Sequence, residues 1–365
     1  MKIGVPKEVK PGEGRVSLLP QQVEVLVSAG HAVQVQRGAG AALGIADVDY
    51  SRVGAALAEN GNWIYKISDL IVKVKEIMPA EYALLRPEHI LFTNVHSAGL
   101  PEQLDKLLEV GLTAIAAEET HEHGSPNSAL AGEVGAFEGL RLAFSPHGGP
   151  GRHFFDRFGA PPVRALVIGL GNVGQGALRT LLGLGVSVAG FDLDAAARAR
   201  TTKEWKDADF TAHDIADLGD HLGSADVVYN CVLWPKERDD HLVSRADLKR
   251  LKSSAAIVDI SCDPAGAIET SRATTWADPV YVEDGIRHFC VDNIPGAVPV
   301  TASAGYAAAI IDHVALIAEV GVLEACRQND WIARGLTCIG GELVLAEAGR
   351  VQQRPFTPVA EILAR

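Results

Sequence analysis

Cysteine is scarce in this chain. There are five in 365 residues, Cys231, Cys262, Cys290, Cys326 and Cys338, widely spaced and with no CxxC or Cys/His cluster. An odd, scattered set excludes a disulfide scaffold and a zinc module, and reads as buried free thiols. Positive charge is also in deficit, with 33 Lys and Arg against 46 Asp and Glu and a formal net charge of −13. That balance argues against nucleic acid and against anionic membrane surfaces as partners. No apolar run reaches the 18 or so residues of a membrane span. The N-terminus MKIGVPKEVK lacks the apolar core of a signal peptide and reads as mature structure, so a cytoplasmic location is expected. Repeats, low-complexity tracts and heptads are missing. His121 and His123 lie two apart without a third ligand nearby, so no metal is expected.

What is present is a hydrophobic share of 47% over a length that accommodates two cores. The most informative stretch is 163–192, VRALVIGLGNVGQGALRTLLGLGVSVAGFD. Residues 165–168 form a short β-branched run suited to a buried parallel strand. Gly169, Gly171 and Gly174 follow at GxGxxG spacing, and 177–184 continues with helical periodicity. Gly169 permits the sharp turn, Gly171 lets a pyrophosphate approach the backbone, and Gly174 lets the helix pack on its strand. The helix N-terminus offers unpaired N–H groups to the phosphates. A second strand over 186–191 ends in Asp192, about 20 residues on, where a carboxylate accepts ribose hydroxyls and repels a 2′-phosphate. The pattern predicts a dinucleotide site, with NAD favoured over NADP.

Residues 1 to about 130 read as a second α/β unit. Strands are expected at 2–5, 32–36, 69–73, 89–93 and 113–116, with helices at 17–30, 80–85 and 101–110. Such alternation implies a parallel sheet with ligands at the carboxyl ends of its strands. Arg15, Lys73, Lys75, Glu76 and His96 all follow strands there. Together they would make an anion-binding, proton-handling pocket. Singly, Arg15 reads equally as a surface ion pair and one of the two lysines as solvated. The polar run 118–126 reads as a connection between domains. A helix at 130–144 crosses over. After Asp192, strands at 226–231, 255–261 and 288–291 and a helix at 245–251 continue the doubly wound pattern. Asp263 then falls at the carboxyl edge, as a proton-handling group or as a turn-forming Asp before Pro264. An apolar helix at 302–318 returns the chain to the first domain, as core or as the interface of a homo-oligomer, and the tail packs there.

These stretches resemble one superfamily, that of alanine dehydrogenases and saccharopine dehydrogenases, with the N5-(carboxyethyl)ornithine synthases and the soluble part of proton-translocating transhydrogenases. The motifs MKIGVPKEVKPGEGRVSLLP, DLIVKVKE, ILFTNVH, VIGLGNVGQGA, VDISCDPAGAIETSRATTWADPVY and HFCVDNIPGAVP carry the resemblance nearly end to end. It implies two doubly wound, Rossmann-like α/β domains with a cleft between them: 1–130 and 298–365 for substrate, 131–297 for NAD. By position it implies that Arg15 binds the substrate carboxylate, Lys75 contacts substrate oxygen, and His96 and Asp263 sit at the reacting centre. Cofactor contacts are implied at Gly169, Gly171, Asn172, Val173, Gly174, Asp192, Cys231, Val232, Asp263 and Asn293.

The implied activity is NAD-linked oxidation of the CH–NH bond of an amino acid, yielding a 2-oxo acid. Departures leave the amine open. PGEGRVSLLP and GNVGQGA are closer to carboxyethylornithine synthases, VYNCVLWPKE resembles saccharopine dehydrogenases, and Gly132 replaces the serine expected before Glu133. The competing reading is reductive condensation of a 2-oxo acid with a second amino acid. A non-catalytic NAD-binding subunit of the transhydrogenase type is a third.

Overall fold

The computed structural model describes residues 1–365 apart from His123, Arg157 and Pro264. His123, set two residues from His121, and the residue after Asp263 therefore lie outside the described residues. Strands β1 (Lys2–Val5), β2 (Ala32–Gln36), β3 (Ala56–Ala58), β4 (Leu70–Val72), β5 (Ile90–Thr93) and β6 (Thr113–Ala116) come first, with helices α1 (Pro20–Ser28) and α2 (Pro101–Val110) among them. Helix α3 (Ser128–Leu142) precedes β7 (Arg164–Ile168), helix α4 (Asn172–Gly183), β8 (Ser187–Asp192), β9 (Phe210–Asp214), β10 (Val227–Asn230), β11 (Ala256–Asp259), β12 (Val280–Glu283) and β13 (Ile286–Phe289). Helix α5 (Pro299–Val320), β14 (Leu336–Ile339), β15 (Glu342–Leu343) and helix α6 (Val359–Leu363) complete the chain.

The strands form two mixed, mainly parallel sheets. One has eight strands in the order β15-β14-β6-β5-β4-β1-β2-β3, the other seven in the order β12-β13-β11-β10-β7-β8-β9. Residues Met1–Asn127 with Val298–Arg365 form one compact unit, and Ser128–Ala297 the other. Helix α3 thus lies wholly in the second unit, beginning at the boundary. Within the two sheets, antiparallel pairing among the described residues lies toward the edges, where β14 pairs with β6 and β15, and β12 pairs with β13.

Burial explains the strand pattern. Leu70, Ile71 and Val72 are fully buried on both faces of the first sheet, as are Val167 and Ile168 in the second. Buried parallel strands read as continuous apolar runs rather than alternating ones. Helix α5 is the one helix among the described residues long and apolar enough, by length and composition, to cross a membrane. Asp312, His313 and Glu319 interrupt its apolar run. Its Tyr306, Ile310, Val314 and Ile317 are fully buried and pack with Ile3, Val5, Leu70 and Val72 in the core of the first unit. The tail packs there too, through Ile362. The helix expected at 245–251 is instead a single 3-10 turn, Asp247–Arg250.

Candidate active site

In the first unit, β1, β4, β5 and β6 are neighbours in the sheet, and their carboxyl ends carry the charged residues. Arg15 lies in the segment after β1. It is not a surface residue: its side chain is 3% exposed and pairs with the buried carboxylate of Glu13. Arg15 Nε donates to Glu13 Oε1 at 2.8 Å and Nη2 to Oε2 at 2.5 Å, a two-point fork. The segment is fixed by Val16 N donating to Ser303 Oγ on α5 and Ser17 Oγ donating to the Val72 carbonyl of β4.

Neither lysine after β4 is solvated. Lys73 is fully buried between Glu8 at 3.1 Å and Glu81 at 2.8 Å. Burial opposes its charge, and the two carboxylates outweigh that and raise its pKa. Glu8 Oε1 also accepts from Val74 N at 2.6 Å, so the Lys73–Glu8 pair pins the backbone that leads to Lys75. Lys75 is buried, with Nζ 3.5 Å from Glu76. Burial works against ionisation of Glu76, yet Lys75 and Lys10, with His96 adding, hold its carboxyl down at about 2. Lys75 and His96 thus share the electrostatic surroundings of one carboxylate.

His96 follows β5 with φ 49°, a left-handed conformation that few side chains adopt. Beneath it lies Glu118, after β6. Glu118 accepts from Val95 N at 3.0 Å and from His96 N at 2.5 Å, and its Oε1 is 3.6 Å from His96 Nδ1. Burial raises its carboxyl to about 7 against those backbone donors. The expectation that 118–126 is merely a connection misses this residue, because a polar run looks like a turn. Asn94 and Ser97 flank His96, and Asn94 Oδ1 and Ser97 Oγ are buried with no partner among the described residues. Orphaned polar atoms beside a strained histidine mark a site built for something besides folding.

In the second unit the turn after β7 has the geometry its glycines imply. Gly169 has φ 92°, and a Cβ there would sit 2.9 Å from Val232 Cγ2 and 3.0 Å from the Cys231 carbonyl oxygen. At Gly174 a Cβ would collide with the Gly169 carbonyl oxygen, so helix packing demands glycine. Gly171 is the N-cap of α4, and a Cβ there would meet open space. An open approach to a twelve-residue helix N-terminus fits a pyrophosphate. Asn172 Nδ2 donates to Ser128 Oγ. Val173 occupies the first turn of α4. Asp192 ends β8 and braces the turn, accepting from Leu170 N at 2.7 Å and Asp194 N at 2.8 Å. Each carboxylate oxygen keeps further acceptor capacity.

Past β10, Cys231 N donates to the Ile168 carbonyl at 2.8 Å, and Val232 N to Asn230 Oδ1 at 3.2 Å. Past β11, Asp263 is partly buried, and burial raises its carboxyl while Lys236 opposes the shift. Its carbonyl accepts from Gly266 N at 3.1 Å, and Ala265 between them has φ 53°. Past β13, Asn293 is buried and its carbonyl accepts from Gly296 N and from Trp276 Nε1, each at 3.0 Å. Asp192, Val232, Asp263 and Asn293 therefore all lie at or past the carboxyl ends of strands of one sheet.

Comparison with known proteins agrees with this arrangement. The family description "Alanine dehydrogenase/PNT, N-terminal domain" matches residues 4–131, and "Alanine dehydrogenase/PNT, C-terminal domain" matches 149–346. The alanine dehydrogenase of Mycolicibacterium smegmatis is 32% identical over the full length of both chains. A solved L-alanine dehydrogenase superposes with a TM-score of 0.88 at 33% identity, over 97% of this chain and 99% of that one. A transhydrogenase from Sinorhizobium meliloti shares the fold at 23% identity, with a TM-score of 0.74 over 94% of this chain and 99% of that one. The chain belongs to the alanine dehydrogenase/PNT family and is an amino-acid dehydrogenase of the alanine dehydrogenase kind, in a family that typically uses NAD.

Proposed function

We propose that the chain catalyses the reversible, NAD-linked oxidative deamination of alanine to pyruvate and ammonium. The observation that carries this reading is the set of Arg15, Lys75 and His96, each beside a wholly or largely buried carboxylate, in the segments that follow three adjacent strands of one sheet. We assign substrate to the unit of residues 1–127 and 298–365, and NAD to that of residues 128–297.

Gly169, Gly171, Asn172, Val173 and Gly174 would hold the pyrophosphate. Asp192 would hold the adenosine ribose, and Cys231, Val232, Asp263 and Asn293 the nicotinamide side. Held there, NAD would supply the hydride acceptor for the substrate α-carbon, and NADH the donor in the reverse direction. Arg15 orients the substrate carboxylate with the face of its guanidinium fork that Glu13 does not use. Lys75, a desolvated cation, polarises the oxygen of the 2-oxo acid and stabilises the carbinolamine oxygen. His96 receives and returns the protons of amine and water, its imidazole oriented by Glu118. Asp263, its carboxyl raised by burial, exchanges protons on the nicotinamide side. Five free cysteines suit a reducing compartment such as the cytoplasm.

The test is to supply pyruvate and NADH with ammonium, then with lysine or ornithine in its place. Consumption of NADH with ammonium alone is the expected result. Turnover only with the second amino acid would replace the reading with a condensing enzyme, and no turnover with any amine would overturn both.

A further inference from the structure

A second acid and an arginine stand beside Asp192. Strands β8 and β9 are parallel neighbours with Asp192 and Asp214 in register, so two adjacent strands each end in an aspartate. Arg198, on the helix Ala195–Glu204 that follows β8, reaches both strand ends. Its Nη1 donates to the carbonyl oxygens of Asp192 at 2.7 Å and Leu193 at 3.1 Å, and lies 3.0 Å from Asp214 Oδ2. All three contacts run through that one nitrogen, so Nε and Nη2 have no partner among the described residues. Asp214 Oδ1 accepts from Ala216 N at 3.1 Å, which leaves the other oxygen for the arginine. The Arg198 and Asp214 side chains are 22% and 43% exposed, so a ligand arriving from solvent can meet both.

We propose that Asp214 is a positioning residue that, acting through Arg198, sets the choice between NAD and NADP. The inference rests on the reading of Asp192 as the acid that holds the adenosine ribose. A 2′-phosphate on that ribose brings about two negative charges to the end of β8. An arginine nearby is the group that accommodates such a phosphate, because its planar fork matches phosphate oxygens two at a time. Here Asp214 neutralises that arginine and fixes it against the Asp192 and Leu193 carbonyls. A 2′-phosphate therefore meets two carboxylates and one engaged cation. With both acids removed it would meet the cation alone. Exclusion of NADP is thus shared: Asp192 repels the phosphate directly, and Asp214 withholds its counter-ion. The Arg198–Asp214 pair is partly exposed and contributes little to stability, so its charge can be removed without unfolding the strand ends.

The full chain is compared with Asp192→Ser, Asp214→Asn, the two together, and the two with Arg198→Met. Each is titrated with NAD and with NADP by calorimetry, and kcat and KM for both nucleotides are measured with alanine. Asparagine keeps the oxygen that accepts from Ala216 N and removes only the charge. Added to Asp192→Ser, Asp214→Asn should tighten NADP binding about tenfold, the scale of a hydrogen bond to a charged partner, and Arg198→Met should remove that gain. In turnover the same change should appear in KM for NADP rather than in kcat, a split that general loosening of the fold would not produce. Circular dichroism checks each variant, and Asp214→Ser, which also offers a capping oxygen, repeats the comparison should the asparagine variant fold poorly. If Asp192→Ser weakens NAD while removal of the Asp214 charge leaves the Kd for NADP unmoved in both backgrounds, the proposal falls and the ribose reading stands. If Asp192→Ser moves neither Kd, the ribose reading falls and takes the proposal with it. A gain that survives Arg198→Met would also overturn the proposal, because the arginine would then have no part in it.

Discussion

Arg15, the proposed carboxylate binder, carries its counter-charge with it. Glu13 offsets part of the cost of burying its charge and fixes the guanidinium by a two-point fork, and the proposed role asks that guanidinium to hold a carboxylate. Arg15→Lys keeps the charge and loses the fork. Hydrogen bonds to charged groups contribute about 1.5–3 kcal/mol, so kcat/KM for alanine should fall about ten- to a hundredfold, mostly through KM. Steady-state kinetics of the variant checks this, and an unchanged KM would remove Arg15 from the substrate. Glu118 gives a pH signature. Its carboxyl is raised from 4.5 to about 7 by burial, with Glu119 adding, while His96 and Val95 N–H groups oppose. Between those values the folded chain keeps a proton that the unfolded chain has released, so stability falls as pH rises through that window. The shift corresponds to about 3 kcal/mol. Glu118→Gln should flatten the pH dependence of urea unfolding over that range, and a slope equal to that of the parent would contradict the assignment.

At the scale of elements, the glycine at 132 acquires a physical reason. A Cβ at Gly132 of α3 would collide with the Val173 carbonyl oxygen of α4, and one at Gly176 with the Ala129 carbonyl oxygen. The two helices pack backbone against backbone, so the departure from the expected serine and the GNVGQGA variant are one feature. Gly132→Ser should cost about 1–3 kcal/mol as overpacking and weaken NAD binding by shifting the start of α4. Chemical unfolding and NAD titration measure the two effects. The strand, turn and helix of 164–183 were legible because periodicity, glycine spacing and the acid at Asp192 all agree. Strands β9 and β14 were not: β9 is partly exposed with Thr211, His213 and Asp214, and β14 pairs antiparallel at an edge, where local patterning is weak. Arg15, Lys75 and His96 could be placed from strand ends alone. Glu8, which reaches the backbone after β4 across 66 residues, and Glu118, which reaches His96 across 22, could not, because such pairing depends on sheet order rather than spacing.

The whole molecule consists of two units with separate cores, and the proposed function assigns NAD to one of them. A ligand that binds only the folded state stabilises by about 2.7 kcal/mol at a hundredfold excess over its Kd. In calorimetry NAD should therefore raise the transition of the unit spanning Ser128–Ala297, and Asp192→Ala should reduce that gain. NADP at equal concentration should give the smaller shift, because the Asp192 carboxylate opposes a 2′-phosphate. The most direct measurement follows the hydride itself. Alanine deuterated at the α-carbon is incubated with NAD and the enzyme, and the reduced nucleotide is examined by mass spectrometry. Direct transfer places the deuterium in the NADH formed, with pyruvate and ammonium in equal amount; NADH without the label, or none with any amino acid offered, would contradict an amino-acid dehydrogenase built on these residues.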